Sequence, residues 1–243
     1  MQKIILALAF GSAAAFVPAS VSRSAPLNSA RDELIDLAEG STEGLSPGFW
    51  DPLGCSGMSF WTLDNDQTVG YLRHAEIKHG RVAMAAFLGY MAGATETVSG
   101  PHKILPYRGY EPGLTPPEQW DVLDPLAKFQ LFFFIGMLEI WSESAPGQLH
   151  YMAPGGVPGK FPKFVDGKAK RIPGIPVDLW DPLGLIDNMT PEVRNIKLAK
   201  EVNNGRLAML GVTSFFVESK VPGSVPVLSM LGVIKPYEGE YMM

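Results

Sequence analysis

The chain has 243 residues, of which 46% are apolar and only 19% charged. Its net charge of −5 provides no basic field, which argues against nucleic acid as a partner. Cys55 is the only cysteine, so an intramolecular disulfide and a thiolate metal cluster are both excluded, and any metal must be held by oxygen or nitrogen.

Residues 1–30 read as a targeting segment. Lys3 gives a short basic start, Ile4 to Phe10 an apolar stretch, and Ser12-Ala13-Ala14-Ala15 a small-residue cleavage context. The following Ser/Ala-rich run to Ala30 carries Arg23 and no acid, and Ala15-Phe16-Val17-Pro18 resembles the junction of the bipartite plastid presequence of algae with red-derived plastids, a plain secretory leader being the alternative. The remaining chain, 31–243, is expected to form one domain.

Three long segments predict helices, at about 68–97, 125–144 and 191–221. Asp124-Pro125 and Thr190-Pro191-Glu192 supply the caps and first-turn prolines of the second and third. Pro101 lies beyond the first, and Pro222-Gly223 stops the third. Crossing a bilayer core ~30 Å thick takes about 20 mainly apolar residues, and no mature segment reaches that without interruption. Charges sit immediately before the apolar stretches of the first and third segments, and they need an explanation.

A repeat supplies one. Glu76-Ile-Lys-His-Gly-Arg-Val-Ala-Met84 recurs as Glu201-Val-Asn-Asn-Gly-Arg-Leu-Ala-Met209. Ahead of each copy stands a second matched unit, Trp50-Asp51-Pro52-Leu53-Gly54 and Trp180-Asp181-Pro182-Leu183-Gly184. Two motifs in the same order around an unmatched middle helix predict a duplicated helix pair with approximate two-fold symmetry. Glu76 and His79 share a helix face, as do Glu201 and Asn204. Arg81 lies about 140° around the helix from Glu76, so its easier partner is a carboxylate on another helix. Symmetry then pairs Glu76 with Arg206 and Glu201 with Arg81, while Gly80 and Gly205 allow the backbones to approach closely. Paired charges inside a helix interface are tolerated where a lone ion is not. Each carboxylate keeps a free lone pair, as do His79 Nε2 and the Asn204 amide oxygen. Single hard donors of this kind suit magnesium already held by a macrocycle.

These residues resemble the light-harvesting chlorophyll a/b- and a/c-binding superfamily, whose signature is Glu-x-x-His/Asn-Gly-Arg-x-Ala-Met on the first and third helices. The resemblance covers about residues 48–221. It implies an all-α membrane protein with three transmembrane helices, the first and third a crossed pair joined by Glu–Arg ion pairs. It also implies that Glu76, His79, Glu201 and Asn204 ligate chlorophyll magnesium. Gln130 and Glu139 on the second helix and Glu218 on the third are further ligand candidates by the same resemblance. Green members usually carry Arg three residues after the carboxylate corresponding to Glu139; this chain has Ser142, so the counter-charge of Glu139 is not legible. Carotenoids in the grooves beside the crossed helices would lie near Trp50, Asp51, Pro52, Trp180, Asp181, Pro182, Met84 and Met209.

The function so implied is an antenna that binds chlorophyll a and carotenoid and passes excitation to a photosystem, with no catalytic residue. The presequence favours chlorophyll c and a fucoxanthin- or peridinin-like xanthophyll. Expected partners are a photosystem I or II core, neighbouring antenna subunits and thylakoid lipids. The basic loop with Lys160, Lys163, Lys168, Lys170 and Arg171 contrasts with the 99–124 connection, which has two basic and four acidic residues. The positive-inside tendency therefore puts the N-terminus in the stroma and, after three spans, the C-terminus in the lumen. His74, His102 and His150 have no motif around them and are expected at the surface. Two rivals stand beside this reading. An energy-dissipating photoprotective relative would share every motif. A di-iron carboxylate enzyme would need Glu-x-x-His twice, and Asn204 and the two arginines oppose it.

Overall fold

A computed structural model describes residues 49–94 except 61, 111–144 except 112, 149–162 except 154–155, and 188–239 except 233. It also describes the pairs 165–166 and 169–170, and four positions within 32–38. The expected presequence, the second Trp-Asp-Pro unit (Trp180, Asp181, Pro182) and His102 lie outside the described residues. The helices are α1 (Asn65–Ala94), α2 (Pro116–Val122), α3 (Pro125–Ser144), α4 (Pro191–Lys220) and α5 (Pro226–Leu231). A 3-10 turn covers Cys55–Gly57. Val165–Asp166 (β1) and Ala169–Lys170 (β2) make a short antiparallel ribbon, with Val165 opposite Lys170.

Both α1 and α4 have 30 residues, about 45 Å of helix, and α3 has 20 residues, about 30 Å. By hydropathy, no helix among the described residues is both long and apolar enough to cross a membrane. The chain divides into two compact units, Met1–His74 with Leu149–Pro158 and Lys163–Lys200, and Ala75–Gln148 with Gly159–Pro162 and Glu201–Met243.

In the first unit, the Asp-Pro-Leu-Gly sequence builds a turn. Asp51 Oδ1 accepts the Cys55 N–H at 2.9 Å and Oδ2 accepts that of Ser56 at 2.8 Å. Gly54 takes φ +66°, a conformation that glycine adopts without penalty. These hydrogen bonds, those of Ser56 first, hold the Asp51 carboxyl below the usual carboxylate range. Asn65 Nδ2 donates to Ser56 O at 2.8 Å, tying the turn to the start of α1.

The first helix starts at Asn65, earlier than the expected Thr68, because Asp64 is its cap. The Thr68 N–H donates to Asp64 O at 2.9 Å, and Gln67 Oε1 accepts the Asp64 N–H at 3.1 Å. Thr68 itself is fully buried one turn in, where its hydroxyl accepts from Phe60 N–H. His74 is not a surface residue. It is buried and its ring stacks on Tyr151 with centroids 3.8 Å apart. Gly70 is required beside this stack, since a Cβ there would stand 2.9 Å from Tyr151 O.

In the second unit, the halves of α1 and α4 that follow residues 75 and 201 cross. Phe215 is almost fully buried between Phe87 and Tyr90, with centroids 5.0 and 4.9 Å away. Helix α2 was not among the expected helices. It opens on Thr115-Pro116-Pro117-Glu118, where Glu118 Oε2 accepts both the Thr115 N–H and its hydroxyl at 2.7 Å. Those bonds, the backbone one first, hold the Glu118 carboxyl below its ordinary value. Tyr237 is buried and straps the C-terminal segment down. Its hydroxyl donates to Asp121 Oδ2 at 2.8 Å and its N–H to Ser219 O at 3.0 Å.

Apolar burial is sparse. Val69, Ala83, Phe215 and Tyr237, with Pro117 and Pro162, are the buried apolar side chains among the described residues, and α3 buries none. Instead Phe129, Phe132, Phe133, Phe134, Ile135 and Ile140 are exposed around its whole circumference. A helix apolar on all sides belongs in an apolar surround, a bilayer or a layer of bound ligand. Water is a poor environment for it.

Candidate functional site

The repeated motif comes together at one crossing. A Cβ on Gly80 would lie 3.0 Å from Gly205 Cα, and one on Gly205 would lie 2.8 Å from Gly80 Cα. The two backbones therefore touch, and that contact sets the reach of the charged side chains on either side. Arg81 Nε stands 2.6 Å from Glu201 Oε1, and Arg206 Nε stands 2.6 Å from Glu76 Oε1. The pairs are not equivalent. Arg81 Nη1 also donates to Gly159 O at 2.6 Å, and Arg81 and Glu201 are 27% and 29% exposed, against 55% and 35% for Arg206 and Glu76. Gly159 is held at φ +75° against Ile77, so no other residue fits there without strain.

Each glutamate spends Oε1 on its arginine. The second oxygen has no partner among the described residues. His79 is exposed, and its Nδ1–H donates to Ala75 O at 2.7 Å. That bond fixes the tautomer and leaves the Nε2 lone pair outward, the arrangement usual in metal-binding histidines. Asn204 is exposed, and its amide has no partner among the described residues. Per helix, then, the site offers one charge-balanced carboxylate oxygen and one neutral donor, too few to cage a bare ion. Among the described residues no group of His, Cys, Asp and Glu could hold a free metal ion. The donor set fits a metal that arrives with most of its coordination already filled.

The other candidates fall differently. Glu139 is exposed on α3, one turn from its end, with Lys78 Nζ at 2.5 Å and that lysine 3.6 Å from Glu143 Oε1. Ser142, which stands where a counter-charge was sought, turns its hydroxyl to Glu139 O instead. The cation comes from α1, two residues after Glu76. Gln130 is exposed on α3. Glu218 is corrected: it is buried and capping. Its Oε1 accepts from Gly223 N–H at 3.0 Å and the Ser229 hydroxyl at 2.7 Å, and its Oε2 from Val225 N–H at 2.7 Å and the Ser224 hydroxyl at 3.2 Å. Four donors on two oxygens leave no lone pair for a metal, and the residue instead fastens the turn between α4 and α5. Trp50 is 74% exposed, Pro52 is exposed, and Met84 and Met209 are half-buried.

A duplicated, ion-paired helix crossing that presents single charge-balanced oxygen and nitrogen donors defines a helical protein whose donor set suits a metal with most of its coordination already filled. Comparison with known proteins agrees. Residues 37–220 match the chlorophyll A-B binding protein family, and the chain belongs to it. It is thus a light-harvesting, chlorophyll-binding antenna protein and not an enzyme. Among its relatives is a "Fucoxanthin-chlorophyll a-c binding protein, chloroplastic" of Trieres chinensis, 31% identical over 94% of this chain and 98% of that one. Another is "Fucoxanthin-chlorophyll a-c binding protein C, chloroplastic" of Phaeodactylum tricornutum, 29% identical over 91% and 96%. The E protein of Macrocystis pyrifera, with the corresponding name, is 29% identical over 72% and 70%.

Proposed function

We propose that this antenna binds chlorophyll a, chlorophyll c and a fucoxanthin-like xanthophyll in the thylakoid membrane and passes excitation to a photosystem. The observation that carries the reading is the doubled crossing, in which each glutamate is neutralised by an arginine of the other helix and keeps one oxygen free. Glu76, His79, Glu201, Asn204 and Glu139 are the chlorophyll ligands in this reading, with Gln130 a further candidate. Trp50, Asp51 and Pro52, the corresponding Trp180, Asp181 and Pro182, and Met84 and Met209 are the carotenoid-proximal residues in this reading. The names of the relatives support the pigment types.

Helices α1, α3 and α4 are the spans, with the N-terminus stromal and the C-terminus lumenal. Their modest hydropathy fits this role once the charges are paired and the pigments cover the polar spots. Residues 1–30 act as the plastid-targeting presequence, and the mature domain begins near residue 31. The chlorophyll supplies the light absorption. The protein's residues fix where each ring sits, and so how fast excitation moves.

The fluorescence excitation spectrum of the purified native protein tests this. Light absorbed by the xanthophyll and by chlorophyll c should be re-emitted by chlorophyll a with high efficiency. Carotenoid absorption missing from that spectrum, with short-lived chlorophyll emission, would favour a dissipative relative.

A further inference from the structure

Each proposed carboxylate ligand has a cation supplied by another helix: Glu76 of α1 by Arg206 of α4, Glu201 of α4 by Arg81 of α1, and Glu139 of α3 by Lys78 of α1. The first two are mirror images. The third breaks the symmetry. Lys78 belongs to the first copy of the repeat, and the second copy has Asn203 in its place. Only the first copy has this lysine, and Lys78 reaches the unmatched middle helix.

The geometry suits a third charge-balancing contact. Lys78 lies two residues beyond Glu76, about 200° around α1, so the two side chains leave the helix on opposite sides. One side meets α4 and the other α3. Glu139 and Glu143 are four apart on one face of α3, and the lysine ammonium, with three donors, stands 2.5 Å from the first and 3.6 Å from the second. In water, a pair as exposed as this one would contribute little. Its neighbours argue otherwise: Ile135, Met137 and Ile140, on the turns around Glu139, are all more than half exposed and apolar. A surface of that composition faces hydrocarbon or pigment, where a carboxylate without a counter-charge is costly and a neighbouring cation offsets that cost.

We propose that Lys78 is the positioning residue for Glu139, holding one carboxylate oxygen so that the other remains for a chlorophyll. This rests on the reading of Glu139 as a ligand, and the test separates the two. Full-length protein is reconstituted with a pigment extract, and chlorophyll per chain is counted by chromatography. Lys78→Met should lose a single chlorophyll, while Lys78→Arg keeps the full complement. Lys78→Met combined with Glu139→Gln removes both charges but retains an oxygen donor, and should regain the lost pigment even if Lys78→Met alone assembles poorly. A merely structural lysine would give no such rescue. An undiminished Lys78→Met, or a double variant as depleted as the single, would overturn the role of Lys78. Lys78→Met with Glu139→Leu leaves neither charge nor donor and should lack that chlorophyll. A full complement in this last variant would instead remove Glu139 as a ligand.

Discussion

Arg81→Leu should cost the protein a chlorophyll bound on α4, although residue 81 belongs to α1. The substitution leaves Glu201 without its cation among the described residues, in an interface where Arg81 and Glu201 are each less than a third exposed. Breaking one side of a fully buried pair costs about 3–5 kcal/mol; this part-buried pair costs less, and a metal bound to Glu201 would offset part of that. Adding Glu201→Gln removes the stranded charge and keeps an oxygen donor, so pigment yield on reconstitution should partly recover. Arg206→Leu with Glu76→Gln should follow the same pattern with a smaller loss. That pair is more exposed, whereas Arg81 is also fastened to Gly159 O. A double variant no better than the worse single would mean that the residues do not act as partners.

Gly205→Val should be more damaging still. Its first added carbon would fall 2.8 Å from Gly80 Cα, against backbone that cannot turn aside. Overpacking a tight contact costs about 1–3 kcal/mol, and here the displacement also stretches two ion pairs whose arginines stand 2.6 Å from their carboxylates. Pigment should be lost from both helices together, with a large fall in the yield of assembled protein. Gly136→Ala on α3 is the control, because a Cβ there meets nothing within 4 Å. Equal yields from the two variants would show that the Gly80–Gly205 contact does not hold the crossing together.

The crossing could be read from residues alone because it is written twice. A repeat with Glu, Gly and Arg at fixed spacing contains its own symmetry, and symmetry is enough to propose partners 120 and 130 residues apart. Lys78 carried no such signal. It differs from its counterpart Asn203, and its partner lies on the helix that has no duplicate, so only three-dimensional proximity reveals it. Glu218 failed for a related reason. An acid near a helix end looks available until the turn after it folds back, and Ser224 and Ser229 become donors only through that turn. Helix α2 has a start signal but no periodicity: Thr115-Pro116-Pro117-Glu118 matches Thr190-Pro191-Glu192, and its 7 residues are too few to show a pattern. The burial of His74 is not legible, because nothing local marks a histidine for burial. Its partner Tyr151 comes from a segment far along the chain.

In the proposed reading, these sparsely packed helices are completed by chlorophyll and carotenoid held on charge-balanced single donors. That reading is tested most directly by purifying the native protein in mild detergent, extracting its pigments for chromatography, and measuring its metals. Chlorophyll a, chlorophyll c and a xanthophyll are expected in fixed ratio to the chain, with magnesium matching the chlorophyll. A stable colourless protein, or one holding two iron atoms and little magnesium per chain, would contradict it.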